Sequence, residues 1–231
     1  MSDPIATLPD NTAEKIARTR SYEAAQSAEA AMISAKLANA LLDEIVGALK
    51  PGMRESEAKT HAQAVFDANG IEKLWHTTYV RFGSHTLLTF MDRAKEDLVL
   101  QEEDIAFVDL GIVKGGVEGD AGKTVVFGSN PCFSHLRDAS QAIFHESREF
   151  WRKQNPDGIT LYEHIHDLAA KMNVEFNLDP AGHLIGAHPH LGWRRGINTF
   201  PEHVQAAKWI LEIQIKDKAQ PFGAFFEDLL Y

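Results

Sequence analysis

The chain has 231 residues, 44% of them hydrophobic, which is enough to bury the core of one compact domain. With 23 basic against 33 acidic residues the formal net charge is -10. That charge repels phosphate backbones and anionic lipid, so nucleic acid and membrane surfaces are set aside as partners. The start, MSDPIATLPDN, is polar and broken by prolines, no apolar run approaches the ~18 residues of a membrane span, and Cys132 is the single cysteine. These features predict a soluble protein of the reducing cytoplasm.

Residues 12–49 are rich in Ala, Glu, Lys and Leu, and Ile33, Leu37, Leu41, Ile45 and Leu49 recur at helical spacing. The pattern predicts one long helix or two joined ones, stopped by Pro51-Gly52. Glu55–Ala68 reads as the next helix, closed by Gly70, whose missing Cβ suits a left-handed cap. Over 74–127 the texture changes to β-branched and aromatic runs, TTYVRF, DIAFVDLGIV and KTVVFG, split by glycines and charged turns as in an antiparallel sheet. Helices return over 134–154 and, past the break Pro156-Asp157-Gly158, over 160–172 with Thr160 as the expected N-cap. WILEIQI and AFFEDLL alternate with period two and predict closing strands.

LKPGMRESEAKTHAQAVFDANGIE and KQNPDGITLYEHIHDLAAKMNVEF share the order helix, breaker, helix, strand, the mark of a weak internal duplication. Two helical hairpins, each leading into strands, predict an α+β architecture in which helices cover one face of a curved antiparallel sheet. Residues 1–50 are expected to form an N-terminal helical extension and residues 51–231 the main domain. That extension either dimerises or packs on its own domain.

Asp109 in AFVDLGIV and Asp120 in VEGDAGKTVVFG lie eleven positions apart at the edges of apolar strands. Gly115-Gly116 between them provides a hairpin turn that brings both acids onto one face. A carboxylate among Phe107, Val108 and Leu110 is partly desolvated and requires a cation, a metal or a proton. Taken singly, Asp109 reads rather as a strand-end cap and Asp120 as part of a polar turn. His183 follows in the glycine-flanked loop PAGHLIG, and Glu212 in WILEIQI and Glu227 in AFFEDLL are acids among apolar neighbours. Glu212 has the alternative of a wet strand face shared with Gln214 and Lys216.

From about Leu49 to its end the chain resembles the pita-bread metallopeptidases, the family of methionine aminopeptidase, aminopeptidase P and prolidase. The motif order is Asp, Asp, His, Glu, Glu with spacings of 11, 63, 29 and 15, nearest to the prolidase and aminopeptidase P branch. The resemblance implies a pita-bread fold in residues 51–231. It also implies two divalent ions, with Asp109 on one, Asp120 and Glu227 bridging, and His183 and Glu212 on the other. A ligand set this rich in oxygen suits manganese best, with cobalt, zinc or iron(II) as alternatives. The chemistry implied is hydrolysis of a small peptide or amide-like substrate of the Xaa-Pro type. Water activated by the ions attacks a polarised carbonyl, and Glu212 relays the proton. His190, seven positions after His183, matches the family's second histidine, which binds substrate; His188 is its rival.

Several departures concern the substrate. His85 stands in the place of a family asparagine, Phe90 near that of a histidine, Leu191 where a Glu is usual and Phe225 where an Arg is common. His85, Phe90 and His190 are therefore the expected substrate-binding residues of a less polar pocket. Two further readings stay open: an enzyme on the same scaffold acting on a small non-peptide metabolite, as creatinase and a lyase of the family do, or a non-catalytic binding module.

Overall fold

The computed structural model describes residues 12–177 and 182–231. The proline-broken start and Pro180-Ala181 before His183 lie outside them. Helix α1 spans Thr12–Ala25 and α2 spans Ala28–Gly47. The helical run is thus two helices, separated where the Ser27 side chain leaves the helix and accepts from the Ala30 N–H at 3.2 Å. α3, Glu55–Ala68, ends as expected: Gly70 sits at φ 60°, and the Ile71 N–H returns to Phe66 O at 3.0 Å.

Short strands β1, Lys73–Leu74, and β2, Tyr79–Phe82, precede the long hairpin of β3, Asp104–Lys114, and β4, Val117–Phe127. Gly115 and Gly116 both have positive φ, 59° and 71°, as a tight hairpin turn of this hand requires. α4 spans Pro131–Gln154, beginning three residues earlier than the pattern suggests, because Pro131 can open a helix at no loss of hydrogen bonding and Asn130 caps it. α5 spans Gly158–Lys171. Its cap is Asp157 and not Thr160: the Asp157 carboxylate accepts from the Thr160 N–H at 2.7 Å, so Thr160 is already inside the first turn. Strands β5, Glu175–Phe176, β6, His183–Leu184, β7, Trp209–Lys216, and β8, Gly223–Leu229, complete the chain.

All pairings are antiparallel, and the order is β1-β3-β4-β8-β7-β5, with β2 also on β3 and β6 also on β7. Two similar halves result. Each is a pair of long strands flanked by two short ones, and they join at β4–β8. The α2–α3 pair serves the first half and α4–α5 the second, which is the duplication legible in the sequence.

Period-two alternation sorts the two faces. Val108, Leu110, Ile112 and Ala121 point into a core shared with Ala38, Leu41, Leu42 and Ile45 of α2 and Val65 and Phe66 of α3. Leu211, Ile213, Ile215 and Ala224 do the same against Ile143 and Phe144 of α4 and Leu161 and Ile165 of α5. α2 lies directly on β4, where a Cβ at Gly119 would stand 2.6 Å from Ser34 O. α1 packs on its own chain, with buried Glu23 accepting from Trp209 Nε1 at 2.7 Å and Arg20 pairing with Glu202 at 2.8 Å. No helix among the described residues is long and apolar enough to cross a membrane.

Candidate metal centre

The residues alternating with the helix-facing ones form the other side of the sheet, and strand register places the acids there in a row. Asp109 of β3 pairs with Gly122 of β4, Gly122 with Glu227 of β8, and Glu227 with Glu212 of β7. Asp120 lies two residues before Gly122 and hence on the same face. Gly122 keeps the row open, since a Cβ there would meet the Phe225 ring at 2.4 Å and Glu227 Oε1 at 2.9 Å. The neighbouring row is Phe107, Thr124, Phe225 and Gln214, so an apolar wall runs beside the carboxylates, with the Phe107 and Phe225 rings 5.2 Å apart.

His183 enters from β6, paired with Ile210 of β7. Its Nε2 lies 3.1 Å from Asp120 Oδ2 and 3.4 Å from Glu212 Oε1. The five residues that the motif order singles out are therefore brought together. A sixth joins them: His76, in the loop between β1 and β2, has Nε2 3.3 Å from Asp120 Oδ1 and 3.5 Å from Asp109 Oδ1. Two sets, His76-Asp109-Asp120 and Asp120-His183-Glu227, each offer three ligand atoms within 4.8 Å of one another.

The electrostatics are set by burial and by the crowding of like charges. Glu227 and Asp120 are 2% and 1% exposed, and Asp109 Oδ1 and Glu227 Oε1 are buried without a hydrogen-bond partner. Burial pushes Asp109 up to about 7 against the pull of His76, with Asp120 and Glu212 adding to the rise. Glu227 is driven well above the carboxylate range by burial and by Asp120, Asp109 and Glu212, and burial also raises Glu212. Burial opposes ionisation of Asp120, yet His76 and His183 hold it below its ordinary value. Burial disfavours both imidazolium ions, but Asp109 and Asp120 carry His76 up to about 10, and Asp120 and Glu212 carry His183 to about 9. Two buried and two part-buried acids, with imidazole nitrogens aimed at them, fit divalent ions of the hard, oxygen-preferring kind.

The cluster floors a cavity of about 270 Å³, walled by Trp75, Tyr79, Phe90, Phe107 and Phe225, with Arg194 and Arg195 at one side. Phe90 lies at the cavity and is 55% exposed. His190 also lines it. Its Nδ1 is 2.8 Å from Glu118 Oε2, which leaves Nε2 as the nitrogen free to serve the cavity. His188 is turned away onto Glu118 Oε1 at 2.8 Å and Lys73 Nζ at 2.8 Å and does not line the cavity, so geometry separates the two candidates. Burial opposes charging Glu118, yet these two imidazoles hold its carboxyl below the usual range.

His85 does not reach the cavity. Buried Glu55 at the start of α3 needs donors and finds them in the His85 ring, 3.0 Å away, and the Phe82 N–H at 2.8 Å. His85 thus lies apart from Phe90 and His190, which line the cavity. Leu191 is 48% exposed and also lies off the cavity wall. Sequence reasoning missed His76, Trp75 and Glu118. The pairing of a tryptophan with a histidine in LWHTT was the available signal for the first two, but nothing in spacing ties that loop to a strand 33 positions on.

The sequence model of metallopeptidase family M24 matches residues 29–231. Among solved structures the chain is similar to the prolidase from Pyrococcus furiosus, at 18% identity and a TM-score of 0.70 over 85% of this chain and 58% of that one. It is similar to the X-Pro aminopeptidase from Thermotoga maritima MSB8, at 19% and 0.69 over 94% and 60%. It is also similar to the methionine aminopeptidase from Thermotoga maritima, at 18% and 0.66 over 84% and 88%. The chain thus spans less than two thirds of the prolidase and the X-Pro aminopeptidase. No curated protein sequence matches it. The likeness carries the fold, which is the pita-bread fold.

Proposed function

This chain belongs to metallopeptidase family M24, and from that premise we propose that it is a metal-dependent hydrolase of a small peptide or amide-like substrate. Asp109, Asp120, His183, Glu212 and Glu227 would hold two divalent ions, with manganese favoured by the number of carboxylate oxygens. The observation that carries the reading is the cross-strand row Asp109, Glu227, Glu212 beside Asp120, with Glu227 and Asp120 buried and His76 and His183 turned onto the acids. When bound, the ions supply an acidified water and polarise the carbonyl to be attacked.

The protein's own contribution is positioning, proton handling and exclusion of water. Glu212 closes the row at β7, and burial raises its carboxyl, so it is suited to take the proton of the attacking water and release it to the leaving amine. His190, fixed by Glu118 through Nδ1, presents Nε2 to the substrate carbonyl as negative charge develops there. The apolar row of Phe107 and Phe225, with Phe90 at the cavity edge, matches a compact apolar group such as a proline ring, which supports an Xaa-Pro type of substrate.

The same apolar wall and the small volume also support the second reading, an enzyme on the same scaffold that acts on a small non-peptide metabolite. Protein stripped with chelator and reloaded with manganese or cobalt should hydrolyse Xaa-Pro dipeptides. A panel that also contains longer peptides and small non-peptide metabolites separates the readings. Turnover of non-peptide metabolites alone selects the second reading, and inactivity of metal-loaded protein across the panel overturns both.

A further inference from the structure

His76 is the one imidazole of the cluster that the five-residue motif does not include, and its geometry repeats that of His183. The Nδ1 of His76 lies 2.8 Å from Thr77 O, and the Nδ1 of His183 lies 2.7 Å from Leu184 O. A carbonyl oxygen only accepts, so in each neutral ring Nδ1 carries the hydrogen and Nε2 is left with its lone pair. Both Nε2 atoms face the acids. The two oxygens of Asp120 are divided between them, Oδ1 toward His76 at 3.3 Å and Oδ2 toward His183 at 3.1 Å.

Two ligand atoms each ~2.1 Å from a common ion stand ~3.0–3.5 Å apart at the usual angles. His76 meets that spacing to Asp109 at 3.5 Å and to Asp120, as His183 does to Asp120 and to Glu212 at 3.4 Å.

The surroundings are built to keep His76 there. Its ring packs edge-on against Trp75, with centroids 4.4 Å apart, and the same indole packs on His183 at 4.9 Å. Tyr79 stacks beside it at 5.9 Å. Space for the ring exists only because β3 carries glycine beside Asp120: a Cβ at Gly111 would lie 2.2 Å from His76 Cδ2 and 2.4 Å from Trp75 Nε1.

We propose that His76 is a sixth protein ligand of the metal centre, binding through Nε2 the ion that Asp109 holds, so that each ion has one imidazole and Asp120 lies between them. The proposal rests on the dinuclear reading above and deepens it. An imidazole on each side makes the two sites more alike and adds a nitrogen donor to the one that would otherwise be all oxygen. That shifts its preference toward the later divalent ions such as cobalt and zinc.

The test uses the full chain, stripped and titrated calorimetrically with manganese and with zinc, and X-ray absorption of the zinc-loaded protein to count imidazoles per ion. Wild type should bind two ions with an average of about one imidazole each. In His76→Ala, one site should weaken by more than ~100-fold, beyond what loss of a group that merely orients a ligand costs, while the other is retained, and with zinc in enough excess to fill both sites the average imidazole count per ion falls by half. His76→Gln, which keeps a polar side chain, carries the same test should the alanine variant fail to fold. Gly111→Ala should act like His76→Ala, with all six side chains present. Wild-type protein that binds two ions with sites and imidazole count unchanged in His76→Ala overturns the ligand role alone. Wild-type protein that binds no metal overturns the dinuclear reading and this proposal with it.

Discussion

Asp120 turns one oxygen to each of two imidazoles and is 1% exposed, so neither half of the cluster is complete without it. Asp120→Ala is expected to abolish binding of both ions, and Glu227→Ala, which removes the centre of the row, to do the same. Two-site binding that survives in either variant, measured by calorimetric titration, would refute the bridging roles. His190→Ala should leave metal content intact and lower turnover by roughly 10²–10⁴-fold, the span of a positioned proton-transfer or charge-stabilising group. Elemental analysis beside steady-state rates distinguishes the two kinds of loss. The five motif residues were legible as a set, because their order and spacing match the family pattern, although each alone has an ordinary reading as a cap, turn or solvated residue. His76 and Gly122 were not, because their roles come from what lies across the sheet: a loop ring reaching a strand 33 positions away, and a missing side chain that only strand register reveals.

Among the elements, the β3–β4 hairpin was the plainest in the sequence, since two glycines with positive φ join strands whose alternate residues separate core from site. β1, β5 and β6 were the least legible. At two residues each they carry no period, and only their long neighbours make them strands. The function of α1 was also hidden. Tyr22 Oη of the helix donates to Ala187 O at 3.0 Å, and the side chain of Gln26, the residue just past the helix end, accepts from the Ala187 N–H at 2.7 Å. The helix therefore grips, from both sides of one residue, the turn that leads to His190. Loss of the Tyr22 and Gln26 bonds should cost about 0.5–1.5 kcal/mol each. In the double variant Tyr22→Phe, Gln26→Ala, the melting temperature should fall by roughly 2–4 °C per kcal/mol. Turnover should fall less than in His190→Ala, while metal binding stays as in wild type. Wild-type kcat in the destabilised variant would show that α1 supports the fold without positioning the histidine.

For the molecule as a whole, the cluster is a store of protons that the proposed metal ions would replace. In the metal-free fold Asp109 is raised to about 7, Glu227 is raised well above its ordinary value, and His183 and His76 are raised to about 9 and about 10. An unfolded chain releases these protons near 3.8 for Asp, 4.5 for Glu and 6.5 for His. Between each unfolded value and the folded one the native state binds more protons than the unfolded state, so stability declines with rising pH, by about 1.4 kcal/mol per pH unit for each proton so retained. Asp109 contributes to the decline up to about pH 7, and the two histidines from about pH 6.5 to between 9 and 10. Asp120 is displaced the other way, so its stabilisation is lost only on the acid side of its ordinary value, outside this window. Divalent ions held as proposed would take the place of the retained protons and bind the native state alone, which would add stability by mass action and remove its dependence on alkaline pH. Chelated protein should therefore melt at progressively lower temperature from pH 6 to pH 9, and manganese-loaded protein should melt higher with little slope over the same range. Scanning calorimetry of both forms decides the matter: a chelated protein as stable at pH 9 as at pH 6, or one that manganese leaves unchanged, would mean that these buried acids are not awaiting a cation.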